Sequence, residues 1–188
     1  MALTTINVNK QFPVGSIIQT VSSTKLDAYS NNATSLTDIP GTDQDGEGSI
    51  WCAKITPSSA SNKILVLAHI SFNATDSGAG LVLFRDTSQI YKGAAVGSRN
   101  SFSVTGLYGN AVANTATNNT YSGGISHMSY LDDGDSGNGV GVTTELIYKF
   151  KAMIRAQHYY LNQTIYDVDN DNASRTPSSL TLMEIKGA

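Results

Sequence analysis

Two long stretches of this sequence alternate apolar and other side chains with a period of two, and this pattern limits what the chain can fold into. Residues 63–73 (KILVLAHISFN) carry an apolar side chain at every second position. Residues 144–155 (TELIYKFKAMIR) repeat the pattern, with Leu146, Tyr148 and Phe150 on one side. Successive side chains of a β-strand point to opposite faces, so this period predicts two strands. A helix is the competing interpretation of residues 144–155, because Glu, Leu, Lys and Met are good helix formers.

Shorter strand-like runs, separated by turn signals, fill much of the remaining sequence. They cover residues 16–21, 48–55, 81–85, 89–91, 101–107, 124–131, 158–166 and 179–186. The turn DSGAG before residues 81–85 predicts a hairpin between that run and residues 63–73. Many short strands without a convincing helix predict an all-β fold, an antiparallel β-sandwich or barrel. We expect a single β-sandwich domain over residues 15–188, preceded by an N-terminal arm, residues 1–14.

Composition and charge exclude several classes of function. With 12 Lys and Arg against 15 Asp and Glu, the formal net charge is −3, so there is no basic surface for nucleic acid or an anionic membrane. The longest apolar run, residues 64–68, is far shorter than the roughly 20 residues of a membrane span. The first residues lack the pattern of a signal peptide. The single cysteine, Cys52, excludes an internal disulfide and any multi-cysteine metal site.

Both long strands carry apolar residues on their second face as well. In the first strand, Leu65 and Leu67 lie on the side opposite Ile64, Val66, Ala68, Ile70 and Phe72. In the second strand, Ile147 and Met153 lie on the side opposite Leu146, Tyr148, Phe150, Ala152 and Ile154. A sandwich strand in a monomer normally has one polar face. The second apolar faces are therefore covered either by loops or by neighbouring subunits, and these four residues are the candidate subunit interface.

The sequence contains no arrangement typical of catalysis. His69, His127 and His158 fall in three separate predicted strands, without an HExxH or similar spacing. There is no Gly-x-Ser-x-Gly elbow, Walker loop or dinucleotide fingerprint. Cys52 follows Trp51 in a predicted strand and is interpreted as a small buried apolar residue. We expect no catalytic residues, no metal site and no cofactor. The alternative is a metal or catalytic histidine cluster, which requires folding or trimerisation to bring the three histidines together.

Three acidic loops are alternatives to that expectation, because closely spaced Asp residues can hold calcium. They are residues 43–47, 132–135 and 167–171. The last begins like an EF-hand loop, but Asn172 replaces the turn glycine and Ser178 stands where a bidentate glutamate is needed. We interpret all three as solvated acidic turns.

A binding loop is predicted between residues 106 and 124 (GLYGNAVANTATNNTYSGG). Tyr108, Asn110, Asn118 and Tyr121 supply the aromatic faces and amides that carbohydrate or protein ligands contact. An ordinary polar surface loop would have the same composition.

Five segments of the sequence carry a resemblance to a known family. Tailed-bacteriophage virion proteins, common in marine and cyanobacterial phages and usually labelled tail fibre or structural protein, have similar segments in the same order. The segments are GSIIQTVSSTK, ITPSSASNKILVLAHI, LVLFRDTSQIYKGAA, GSR and SSLTLMEIKGA. They run from about residue 15 to residue 187, and the combination of TPSS-x-SNKILV with SLTLMEIKG is the most specific part.

The resemblance implies a jelly-roll knob similar to the homotrimers of the tumour-necrosis-factor and complement-globular-head type. The resemblance implies that the protein is located in the virion and that its partners are other capsid or tail proteins. It also implies that the loop containing Tyr108, Asn110, Asn118 and Tyr121 binds a host surface glycan or protein. A fibre protein normally has a docking domain and a shaft before its knob. Here only about fourteen residues precede the matching region, so residues 1–14 are expected to act as a particle-docking peptide.

Three functions are consistent with these observations. The first is a non-enzymatic, trimeric knob or fibre-like appendage on the particle surface, used for host adhesion. The second is a capsid decoration or cement protein. The third is a glycan-degrading tail protein, which requires two carboxylates about 5 to 10 Å apart.

Overall fold

The protein is described by a computed structural model over residues 12–76, 78–105, 107–108, 124–134, 137–169, 171 and 173–188. This part of the chain contains strands and turns but no helix, and therefore no helix long and apolar enough to cross a membrane. The strands, in chain order, are β1 Ile17–Lys25, β2 Tyr29–Asn31, β3 Thr37–Asp38, β4 Cys52–Ile55, β5 Lys63–Ala74, β6 Gly80–Arg85, β7 Ser88–Ile90, β8 Val104–Thr105, β9 Leu107–Tyr108, β10 Ile125–Asp132, β11 Leu146–Met153, β12 Tyr159–Leu161 and β13 Ser178–Ile185.

The strands form two sheets. In the first, the order is β1-β13-β5-β12-β2, with β10 and β9 also pairing with β5. In the second, the order is β3-β11-β6-β7, with β4 on β11 and β8 on β6. All pairings are antiparallel except the short one between β5 and β9.

The core lies between the two sheets. One continuous cluster joins Ile64 and Val66 of β5 and Leu182 of β13 to Tyr148 and Phe150 of β11, all fully buried. These are the positions that the period of two places on one side of each strand. The expected all-β antiparallel sandwich is confirmed, and the strand interpretation of residues 144–155 is correct.

The predicted hairpin between residues 63–73 and 81–85 is wrong. β6 pairs with β11 in the second sheet, with Leu81 opposite Ala152 and Leu83 opposite Phe150. Both edges of β5 are already occupied, by β13 on one side and β10 on the other. The turn therefore carries the chain from one sheet to the other.

The predicted strand over residues 158–166 is much shorter in the structure. β12 spans only Tyr159–Leu161, because Gln157 and Asn162 adopt positive φ angles of 64° and 58° on either side of it. Left-handed backbone cannot continue an extended strand.

A buried ionic cluster connects the two sheets at one end of the core. The carboxylate of Asp132, at the end of β10, accepts hydrogen bonds from Arg85 Nη1 at 2.8 and 2.9 Å and from the Tyr148 hydroxyl at 2.7 Å. It also accepts the Gly134 backbone N–H at 3.1 Å. Asp132 is 1% exposed, and burial beside this carboxylate raises the pKa of Tyr148 well above its ordinary value.

The first and last described segments lie side by side. Gly15 N–H donates to the Lys186 carbonyl at 2.8 Å, and Lys186 N–H donates to the Ser16 carbonyl at 2.9 Å. These bonds extend the β1–β13 pairing at the edge of the first sheet.

Candidate functional site

The outward side of the first sheet is a broad, nearly uncharged surface, which we call the β5 outer face. Strand register aligns its side chains in rows across β1, β13, β5 and β10. The face consists of Thr20, Ser22, Thr24, Lys63, Leu65, Leu67, His69, Ile125, His127, Ser129, Leu131, Ser179, Thr181, Met183 and Ile185. Of these residues, only Lys63, at one end, is a Lys, Arg, Asp or Glu.

Apolar side chains form the middle of the β5 outer face. Thr20, Met183, Leu65 and Leu131 make one row, and Leu131 is 42% exposed. The next row contains Leu67 together with three hydroxyl side chains. An apolar strip of this kind on an outward sheet face is typical of a surface that contacts another molecule.

The outward side of the second sheet, the β11 outer face, has a different character. Lys149 and Lys151 form ion pairs with Asp38, at 2.9 and 3.5 Å. The Lys151 ammonium lies 5.1 Å from the ring centre of Phe84, which is only 6% exposed. The aliphatic parts of these two lysine side chains, which are 15% and 25% exposed, thus cover apolar residues of this face, and both ammonium groups are paired with Asp38.

The four predicted interface residues do not share one surface. Leu65 and Leu67 lie on the β5 outer face, whereas Ile147 and Met153 lie on the β11 outer face, on the other side of the sandwich. All four are half-buried. A single contact made by either sheet face includes only one of the two pairs.

Two of the three histidines come together on the β5 outer face. His69 and His127 are directly opposite each other on β5 and β10, with ring centres 4.8 Å apart and planes inclined at 68°. They sit in a shallow groove of about 410 Å³ that is also lined by Leu67, Ser129 and Ser179. The sequence leaves clustering through folding as an alternative but does not identify this pair, because the register of β10 against β5 cannot be read from it.

One aspartate in each acidic loop forms an ion pair with a basic side chain. Asp43 accepts the backbone N–H groups of Asp45 and Glu47 at 3.0 and 2.9 Å and pairs with Lys54 Nζ at 2.6 Å. The hydrogen bond from Lys54 holds the pKa of Asp43 below its usual range. Asp43 itself is 5% exposed, whereas Asp45, Gly46 and Glu47 are exposed, so the interpretation as a solvated turn holds for the loop but not for Asp43.

In the other two acidic loops, Asp132 and Asp167 form ion pairs with arginine side chains. Asp132 belongs to the inter-sheet cluster and is buried, which again differs from a solvated turn. Asp167 accepts hydrogen bonds from Arg175, which lower the pKa of its carboxyl. Within the described ranges, no group of three or more His, Cys, Asp or Glu residues could hold a metal ion. Asp135 lies outside those ranges.

Cys52 is buried, as predicted, and burial raises the pKa of its thiol. Of the predicted contact loop, Tyr108 belongs to β9, whose backbone pairs with the end of β5. Asn110, Asn118 and Tyr121 lie outside the described residues, so their role in binding stays a prediction.

Comparison of the chain with protein-family models and with curated proteins gave no match.

Proposed function

We propose that this protein is a non-enzymatic structural domain that associates with copies of itself through the β5 outer face. In this proposal it forms a homotrimeric knob on the surface of a bacteriophage particle and serves in host adhesion. The observation that carries the self-association is the near absence of charge from a sheet face four strands wide. The virion location and the number of copies rest on the sequence resemblance.

Self-association favours a face of this composition for a physical reason. In a trimer, the side chains that line the three-fold axis meet their own copies, so every like charge there is repeated and repels its counterparts. Leucine and methionine side chains have no such penalty, and each hydroxyl can both donate and accept a hydrogen bond. The β11 outer face carries Lys54, Lys149 and Lys151. These lysines share two carboxylates, Asp43 and Asp38, so contact with a copy would bury ion pairs and leave an excess of positive charge.

The path of the chain supports the jelly-roll part of the proposal. Following β1, β4, β5, β6, β10, β11 and β13, the chain passes from one sheet to the other at each step. Crossing connections of this kind are the pattern of Greek-key double sheets, to which jelly rolls belong.

Measurement of mass in solution tests the proposal. Light scattering after size-exclusion chromatography is expected to give three chains for the wild type. Leu67→Asp places a carboxylate in the middle of the β5 outer face of every copy, a change expected to cost about 3 kcal/mol or more and to weaken association by more than about a hundredfold. Met153→Asp is the matched control on the β11 outer face and is expected to remain trimeric.

Circular dichroism of each variant distinguishes loss of association from loss of folding. A wild-type chain that is monomeric at micromolar concentrations contradicts the proposal. So does a Leu67→Asp variant that keeps the wild-type mass. The number of copies per particle, counted in an electron cryomicroscopy map of the virion, then tests the location, since a tail appendage is present in few copies.

A further inference from the structure

The facing imidazoles of His69 and His127 have a separation that suits chelation of one metal ion. Zinc–nitrogen bonds are about 2.0–2.1 Å, which places each ring centre about 3.2 Å from the metal, and a tetrahedral angle then separates the two centres by about 5 Å. The observed separation is 4.8 Å. The rings meet edge to face, with planes inclined at 68°, so at least one imidazole has to rotate to aim a nitrogen of each ring at a common ion.

The surroundings of the pair favour a transition metal over other ligands. Imidazole nitrogen binds divalent zinc, nickel and copper well and is a poor ligand for calcium or magnesium. Among the residues that the structure describes, the groove around the two rings is lined by hydroxyl, apolar and thioether side chains and contains no carboxylate, lysine or arginine. No described lysine or arginine in the groove therefore opposes the entry of a cation.

We propose that His69 and His127 form a binding site for a divalent transition-metal ion that is shared between copies of the chain. The inference rests on the proposed self-association, because the pair lies on the β5 outer face. One pair supplies two ligands, whereas structural sites of this kind hold four or more. Two copies supply four imidazoles and three copies supply six, which completes the coordination sphere.

Zinc chloride added to the untagged full-length chain provides the test. Isothermal titration calorimetry measures the affinity and the stoichiometry. We expect no more than one ion for every two chains. His69→Ala and His127→Ala are each expected to weaken binding by more than about tenfold. His158→Ala is the matched control, because His158 is exposed at a different site, where its backbone groups form hydrogen bonds with Thr75. We expect the His158→Ala variant to bind zinc as the wild type does.

A second measurement separates this inference from the proposed function. The mass of the wild type in EDTA reports self-association without metal, and a monomer there contradicts the proposed function. Zinc is expected to lower the chain concentration at which the oligomer dissociates by more than about tenfold, and only when both histidines are present. Absence of zinc binding, unchanged binding in the His69 and His127 variants, or one ion bound per chain overturns the shared site.

Discussion

Replacement of Asp132 by alanine is the substitution whose effect on stability follows most directly from the structure. The Asp132 carboxylate is 1% exposed and accepts hydrogen bonds from Arg85, Tyr148 and the backbone of Gly134. Arg85 and Tyr148 belong to the second sheet and Asp132 to the first, so the variant removes a polar connection between the sheets.

The expected cost is set by the burial of the groups that remain. Removing one member of a buried ion pair typically costs about 3–5 kcal/mol, because the partner keeps its desolvation penalty. The Arg85 side chain is 16% exposed and recovers some hydration, which favours the lower end of that range. We expect Asp132→Ala to destabilise the protein by about 3 kcal/mol, a decrease in Tm of about 6–12 °C for a chain of this length.

Urea unfolding followed by circular dichroism measures this free energy. Asp133→Ala is the matched control one residue away, since the Asp133 side chain is 41% exposed and lies 3.8 Å from Lys63. An exposed pair of this kind contributes little, so the control is expected to lie within about 0.5 kcal/mol of the wild type. If Asp132→Ala costs no more than Asp133→Ala, the reasoning about the inter-sheet cluster is refuted.

Three further predictions follow from groups whose pKa differs from its ordinary value. The lowered pKa of Asp43 stabilises the fold above the unfolded value of about 3.9 and is lost as the pH falls through the folded value; Lys54→Met should therefore move acid unfolding, followed by circular dichroism, to higher pH. The raised pKa of Tyr148 makes unfolding easier as the pH rises above about 10; the urea midpoint of Tyr148→Phe should fall less steeply over that range. The buried Cys52 thiol should react with Ellman's reagent only when the protein unfolds, and rapid reaction of the folded protein would contradict its position.

The sequence predicts the strands of this fold better than their partners. The period of two in β5 and β11 identifies both the strands and their core faces, because it depends only on which side chains are buried. The partner of β6 was mispredicted, since a short turn rich in glycine and serine fits a hairpin and a crossing between sheets equally well. The hairpin is excluded because both edges of β5 are already paired, one with β13 and the other with β10. Both of these strands are distant from β5 in sequence, so the local pattern does not reveal the pairing.

The same limit applies to the candidate site. The sequence shows that Leu67 and Met153 lie on second apolar faces, but it cannot show that these faces point in opposite directions. It also places His69 and His127 on separate strands without revealing that they are opposite each other. Both facts depend on how strands far apart in sequence align, which the local pattern does not encode.

The hydrogen bonds that hold Gly15 and Ser16 against Lys186 place the first described residues at one pole of the first sheet. They lie beside the start of β5, and the twelve residues of that strand span about 35 Å. At its far end, β5 pairs with Leu107 and Tyr108, and the Phe72 N–H donates to the Gly124 carbonyl. Tyr108 and Gly124 therefore lie at the pole opposite Gly15, and in the appendage proposed above an attachment through the residues before Gly15 would turn that pole away from the particle.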